Sequence, residues 1–183
     1  MGMLSSRLGR PGLLAFLVLI DVSGSTSMIA AGRGAVRQGA VILGGGPAGL
    51  ATAIMLAQRG RRDIHVYDRL EAPPDPNNEA LWSDTSRFYL IGLGARGQAA
   101  LQKLGVWEDV ARYTSLVDGR KDWSPGAGVD EGVERIFTDR PVLTQVLARD
   151  RLAGALVQVL QERYTDAVQL HYGVECAGAS WNS

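Results

Sequence analysis

The chain has 183 residues, 46% hydrophobic and 21% charged, the balance of a soluble globular protein rather than a disordered or fibrous one. Lys+Arg and Asp+Glu both number 19, so the zero net charge lacks the basic excess that phosphate-rich nucleic acid partners require. Cys176 is the single cysteine, which excludes an intrachain disulfide and a redox dithiol; with only His65 and His171 beside it, the chain is also poorly supplied for a His/Cys zinc site.

Residues 1–39 read as an N-terminal extension. They hold one acid, Asp21, against Arg7, Arg10, Arg33 and Arg37, around the apolar run Leu13 to Ile20. Eight apolar residues fall far short of the about 20 that span a bilayer. A basic start, a short apolar core and a Ser/Gly/Ala-rich tail fit a targeting segment, for a chloroplast or mitochondrion or for a membrane-peripheral location. The competing reading is a short strand or helix packed on the domain.

From Ala40 the pattern turns regular. Val41-Ile42-Leu43 is an unbroken apolar run, expected for a strand buried on both faces of a parallel sheet. Pro47 suits a first helical turn, and Leu50, Ala51, Ile54, Met55 and Leu56 recur at helical spacing up to a stop at Gly60. Ile64, Val66 and Tyr67 make the next strand, so the order is β-α-β and the two strands should be parallel. Pro73, Pro74, Pro76, Asn77 and Asn78 then mark an extended surface loop. A strand over 88–91, a helix over 98–104 stopped by Gly105, and a short helix over 107–113 follow. Residues 115–134 read as irregular. The longest helical pattern covers Val142 to Tyr164, and a strand with one wetter face follows at 168–172.

The glycines between the first strand and the first helix carry the chemistry. A helix start leaves backbone N–H groups unpaired and is partly positive, so it suits a phosphate that can come close enough. In Gly44-x-Gly46-x-x-Gly49 the first glycine allows the turn, the second admits a pyrophosphate, and the third lets helix and strand pack closely. The strand before it and the helix after it are the context that the motif needs. Asp68 ends the second strand, 19 residues after Gly49, where a carboxylate accepts hydrogen bonds from both hydroxyls of an adenosine ribose and repels a 2′-phosphate. These residues predict an α/β fold, a Rossmann-like FAD/NAD(P)-binding parallel sheet with flanking helices, over residues 40–183. They do not choose between NAD and FAD. No Ser-His-Asp set, carboxylate pair or metal cluster points to other chemistry.

A resemblance does choose. GGGPAGLATAIMLAQRG, followed by a strand ending in an acid and an arginine, resembles the start of the FAD-dependent aromatic hydroxylases, the single-component flavoprotein monooxygenases. Arg87 to Leu93 with Arg96 to Leu101 is similar to the region after their long loop, notably in kynurenine 3-monooxygenase-like members. Arg149-Asp150-Arg151-Leu152 with Leu156 resembles their Arg-x-x-Leu-x-x-x-Leu helix, and Val168 to Gly173 the strand after it.

The resemblance implies that Gly44, Gly46 and Gly49 hold the pyrophosphate, Asp68 the ribose, and Arg69 the neighbourhood of the adenine. Arg87 and Arg149 would approach the flavin's linker or pyrophosphate, with Arg96 a further candidate, although each of these arginines also reads as an ordinary surface or helical charge. Trp82 and Tyr89 are candidates to cover a flavin or to fill core. His65 reads as structural, and Cys176 as a buried or incidental thiol. In that family NAD(P)H reduces FAD, and the reduced flavin uses O2 to place one oxygen atom on an aromatic small molecule. The family's later Gly-Asp and Asp-Gly segments and most of its substrate sheet lie beyond this chain, of which residues 115–138 are a candidate piece. The expectation is therefore an FAD-binding portion of such an enzyme, too short for catalysis as written. The alternative is a non-catalytic Rossmann-like subunit of a larger organellar assembly, with or without bound nucleotide.

Overall fold

The computed structural model describes residues 39–84 and 88–178, together with the backbone of 20–22. Its central sheet has the order β1-β2-β3-β9, formed by β1 (Ile20–Val22), β2 (Gly39–Leu43), β3 (Ile64–Asp68) and β9 (Val168–Tyr172). β2, β3 and β9 are parallel, with Ile42 opposite Val66 and Val66 opposite Leu170; β1 joins β2 as an antiparallel edge. The rest of residues 1–38, and the targeting expectation placed on them, lie outside the described residues.

Helix α1 (Pro47–Gln58) joins β2 to β3, as the glycine-proline start predicts. Leu50, Ala53 and Ile54 repeat at helical spacing and are fully buried. Gly60 stops the helix with φ near +79°; its N–H donates to the Ala57 carbonyl, and the Arg61 N–H reaches back to Leu56. This left-handed close needs glycine, because a Cβ would crowd the backbone. Helix α5 (Arg149–Arg163) lies on the same side of the sheet. Its Leu152, Leu156, Val159 and Leu160 share one core with Leu50, Ile54, Ile42, Ile64 and Val66.

The extended loop over 71–78 is exposed along most of its length, as expected, and packs on α5 through Pro74 and Pro76. Pro76 is buried, and a Cβ on Gly154 would meet the Pro74 carbonyl oxygen at 2.6 Å. Arg151 locks the two together, its Nε donating to the Pro76 carbonyl at 2.9 Å and its guanidinium pairing with Glu79 of the short helix α2 (Glu79–Trp82).

The second half departs from expectation in three places. The strand expected over 88–91 is β4 (Leu90–Leu93), shifted two residues. Residues 115–134 are only partly irregular: β5 (Ser115–Val117) joins a second sheet, while β6 (Gly119–Asp122) and β7 (Val133–Ile136) form a hairpin across the irregular connection 123–132, which contains the 3-10 turn Val129–Glu131. The long helix does not begin at Val142. Residues Thr144–Ala148 are strand β8, paired antiparallel with β4 on one edge and with β5 on the other. Two sets of ladder hydrogen bonds outweigh the accidental helical spacing of Val142, Val146 and Leu147. Helices α3 (Ala95–Lys103) and α4 (Trp107–Ala111) close the core, both ending close to where the sequence places their stops. Gln98 of α3 is buried with a purpose: its Nε2 donates to the carbonyls of Leu93 and Leu143, each at 2.8 Å.

Candidate functional site

The site lies where β2 and β3 end. Gly44 turns the chain with φ near +112°, a conformation strained for any residue with a Cβ. Gly49 lies so close to the strand end that a Cβ would stand 1.9 Å from the Gly44 carbonyl oxygen. Gly46 is the N-cap of α1, and no side chain caps that helix. No acid occupies the first turn either, so the positive helix end is left to the backbone. The turn at Gly44 and the close helix–strand packing at Gly49 are two of the duties that the glycine spacing predicts.

Asp68 stands one strand over. Its Oδ2 accepts from the Gly45 N–H at 2.7 Å and its Oδ1 from the Leu70 N–H at 2.8 Å. The carboxylate therefore tethers the glycine loop to the end of β3. Arg149 starts α5 directly beside the loop: its Nη2 is 3.1 Å from where a Cβ on Gly46 would be, and its Nη1 pairs with Asp150 at 3.1 Å. The side chain thus makes the expected helical ion pair and also reaches the glycine loop. A helix N-terminus and a guanidinium converge on Gly46, and an acceptor pair sits on the next strand. The set suits a diphosphate joined to a ribose.

The other candidates separate. Arg69 is exposed just past Asp68, and Arg96 is exposed in the first turn of α3, away from the glycine loop in sequence. Arg87 lies outside the described residues. Trp82 is core: it is buried, its Nε1 donates to the Asp75 carbonyl at 2.9 Å, and its ring meets Phe88 at 4.6 Å. Tyr89 is exposed, and its carbonyl accepts from the Arg149 N–H at 2.9 Å. Cys176 is exposed, not buried. His65 bridges Asp63 (Nε2 to Oδ1, 3.0 Å) and His171 (Nδ1 to Nε2, 3.0 Å), with His171 stacked on Tyr67. The carboxylate can only accept, so a neutral His65 donates from Nε2 to Asp63 and accepts at Nδ1 from His171. A cavity of about 340 Å³ lined by Arg62, Asp63, Thr165, Asp166, Ala167 and Gln169 lies at the opposite, N-terminal ends of β3 and β9.

Sequence reasoning missed Tyr172. Register places it directly opposite Asp68, and its ring lies against Gly45. Burial, and then the Asp68 carboxylate beside it, push its hydroxyl up to about 12. The available signal was positional: the last residue of a third parallel strand stands at the carboxyl edge where such sheets bind ligands.

Comparison with known proteins agrees with this geometry. Residues 42–73 match the family described as NAD(P)-binding Rossmann-like domain. Over 93 residues the chain is 37% identical to kynurenine 3-monooxygenase of Salinispora arenicola and 36% identical to that of Salinispora tropica. Those matches cover 51% of this chain and 19% of each relative, so the chain matches about a fifth of their length. Among solved structures, 2-methyl-3-hydroxypyridine-5-carboxylic acid oxygenase aligns with a TM-score of 0.56 at 23% identity, over 76% of this chain and 32% of that one. The flavin-dependent monooxygenase PieE, solved with FAD and substrate, aligns with a TM-score of 0.54 at 23% identity, over 73% of this chain and 23% of that one. The likeness in sequence to kynurenine 3-monooxygenases and the likeness in fold to flavin-dependent monooxygenases thus point to one group of proteins, each over part of the chain.

Proposed function

We propose that this chain, similar to the kynurenine 3-monooxygenases across half its length, binds FAD and forms the nucleotide-holding part of a monooxygenase acting on an aromatic small molecule. The carrying observation is the convergence at Gly46: an uncapped helix N-terminus, the Arg149 guanidinium and the Asp68-tethered loop meet at a backbone that carries no side chain of its own. The chain's residues fit the group. Gly44, Gly46 and Gly49 would let the backbone approach its pyrophosphate, Arg149 would add charge there, and Asp68 would hold the ribose of its adenosine. When bound, FAD supplies the redox chemistry, with NAD(P)H as reductant and O2 as the oxygen source.

The antiparallel sheet of β4, β8 and β5 and the β6–β7 hairpin are the candidate beginning of the substrate side. β8 runs into α5 at Arg149 without a loop, so this sheet starts next to the proposed cofactor. The test is direct. The purified chain is mixed with FAD, freed of unbound flavin, and its visible spectrum recorded. Flavin bands near one per chain, lost in Gly46→Glu, support the reading; a colourless folded chain at tens of micromolar FAD overturns it. NAD(P)H-dependent bleaching of the bound flavin then tests the reductant.

A further inference from the structure

Tyr172 and Asp68 end neighbouring parallel strands, in register with each other. A methyl group on Gly45 would stand 3.1 Å from both the Tyr172 Cε1 and the Asp68 Cβ, so the two side chains flank one glycine. The Tyr172 hydroxyl is buried and makes no hydrogen bond among the described residues. Asp68 is directed elsewhere, with Oδ2 on the Gly45 N–H and Oδ1 on the Leu70 N–H. A buried hydroxyl without a partner is costly, and in a native fold it marks strain, a trapped water or ion, or a site that a ligand completes. The hydroxyl stays protonated at ordinary pH, because burial and the adjacent carboxylate both disfavour the phenolate. It is therefore a neutral donor, waiting for an acceptor.

Strand order says which acceptor. The glycine loop, at the end of β2, takes the pyrophosphate; Asp68, at the end of β3, takes the ribose; β9 is next. We propose that the Tyr172 hydroxyl donates a hydrogen bond to the adenosine of the bound nucleotide, so that Tyr172 and Asp68 together select for an adenosine end. The proposal rests on the FAD reading, since it assigns the adenosine half of that ligand.

The experiment compares the wild-type chain, Tyr172→Phe and Tyr172→Leu for binding of FAD, ADP and FMN, with the melting temperature of each ligand-free protein. Tyr172→Phe keeps the ring and loses the donor. It should melt at or above the wild-type temperature, yet bind FAD and ADP about 3- to 10-fold more weakly, by the same factor for both. FMN, which lacks adenosine, should be unaffected. Equal FAD and ADP affinities in wild type and Tyr172→Phe would overturn the proposal while leaving FAD binding intact. Weakening seen only in Tyr172→Leu would overturn it too, since the ring alone would then matter. A wild-type chain that binds neither FAD nor ADP would sink the nucleotide reading, and this proposal with it.

Discussion

A Cβ on Gly49 would stand 1.9 Å from the carbonyl oxygen of Gly44, about half of an ordinary carbon–oxygen contact. Helix α1 therefore rests on the end of β2 with no room for a methyl group. Gly49→Ala must push the first turn of α1 off the strand. The helix-propensity gain of about 1 kcal/mol for replacing glycine by alanine is smaller than the overpacking cost. That cost should reach about 3 kcal/mol, the upper end for a forced backbone shift. Denaturant unfolding should show a lower midpoint, and the variant should retain no FAD. A variant as stable as wild type would mean that the strand–helix contact is looser than the structure has it.

Asp68 does two things that Asn would do badly. Its two oxygens hold the N–H groups of Gly45 and Leu70, and under the proposed FAD reading its charge serves the ribose. Asp68→Asn has one acceptor oxygen, so one backbone N–H would face the amide NH2, at a cost of about 1–3 kcal/mol. Removing the charge also removes the repulsion of a 2′-phosphate. The variant should bind FAD more weakly and prefer ADP over 2′,5′-ADP by a smaller ratio than wild type. Competition calorimetry reads both affinities. An unchanged ratio would show that Asp68 does not face the ribose.

The β-α-β unit was legible in the sequence because every signal in it is local. Glycine spacing, Pro47, the apolar run before them and Asp68 at the next strand's end lie within 30 residues, and each has one physical duty. The second half was less legible because its structure is decided by pairing between distant segments. Val142, Val146 and Leu147 fit a helix by spacing, yet β8 is held by β4 on one side and β5 on the other. The strand Gly119-Arg120-Lys121-Asp122 has no apolar alternation at all; its partner β7 makes it a strand. Tyr172 was invisible as a site residue for the same reason. Its meaning depends on β9 lying beside β3, a contact between residues 104 positions apart.

The proline loop offers a test of such a long-range contact. Gly154 lies in the middle of α5, where glycine is a poor helix former, and a Cβ there would meet the Pro74 carbonyl oxygen at 2.6 Å and the Pro76 Cδ at 3.2 Å. Two effects oppose each other in Gly154→Ala. The helix gains about 1 kcal/mol, and the loop must lift at a cost of about 1–3 kcal/mol. The contact is with backbone, which yields little, so the net effect should be destabilising by about 1 kcal/mol, a fall of about 2–4 °C in melting temperature for a chain of this size. Arg151 would lose its grip on the Pro76 carbonyl as the loop lifts. A rise in melting temperature would show that the loop does not rest on α5.

The Tyr172 hydroxyl makes stability depend on alkaline pH, with a sign that follows from its raised pKa. In the unfolded chain the phenol ionises near its ordinary value of 10.0; in the folded chain it stays neutral until about 12. Between those values the unfolded state has released a proton that the folded state still holds, so rising pH favours unfolding. The contribution is fully present below pH 10 and is lost progressively as the pH climbs through 12. Tyr172→Phe has no phenol at this position and should lose less stability over the same interval. Urea unfolding of both proteins at pH 9, 10 and 11 measures the difference. Absorbance at 295 nm gives an independent check: the amplitude missing from Tyr172→Phe should be the part of the wild-type titration near pH 12, not the part near pH 10. If the missing amplitude lies near pH 10, the hydroxyl is in contact with water, and neither its burial nor its place beside Asp68 is as the structure has it.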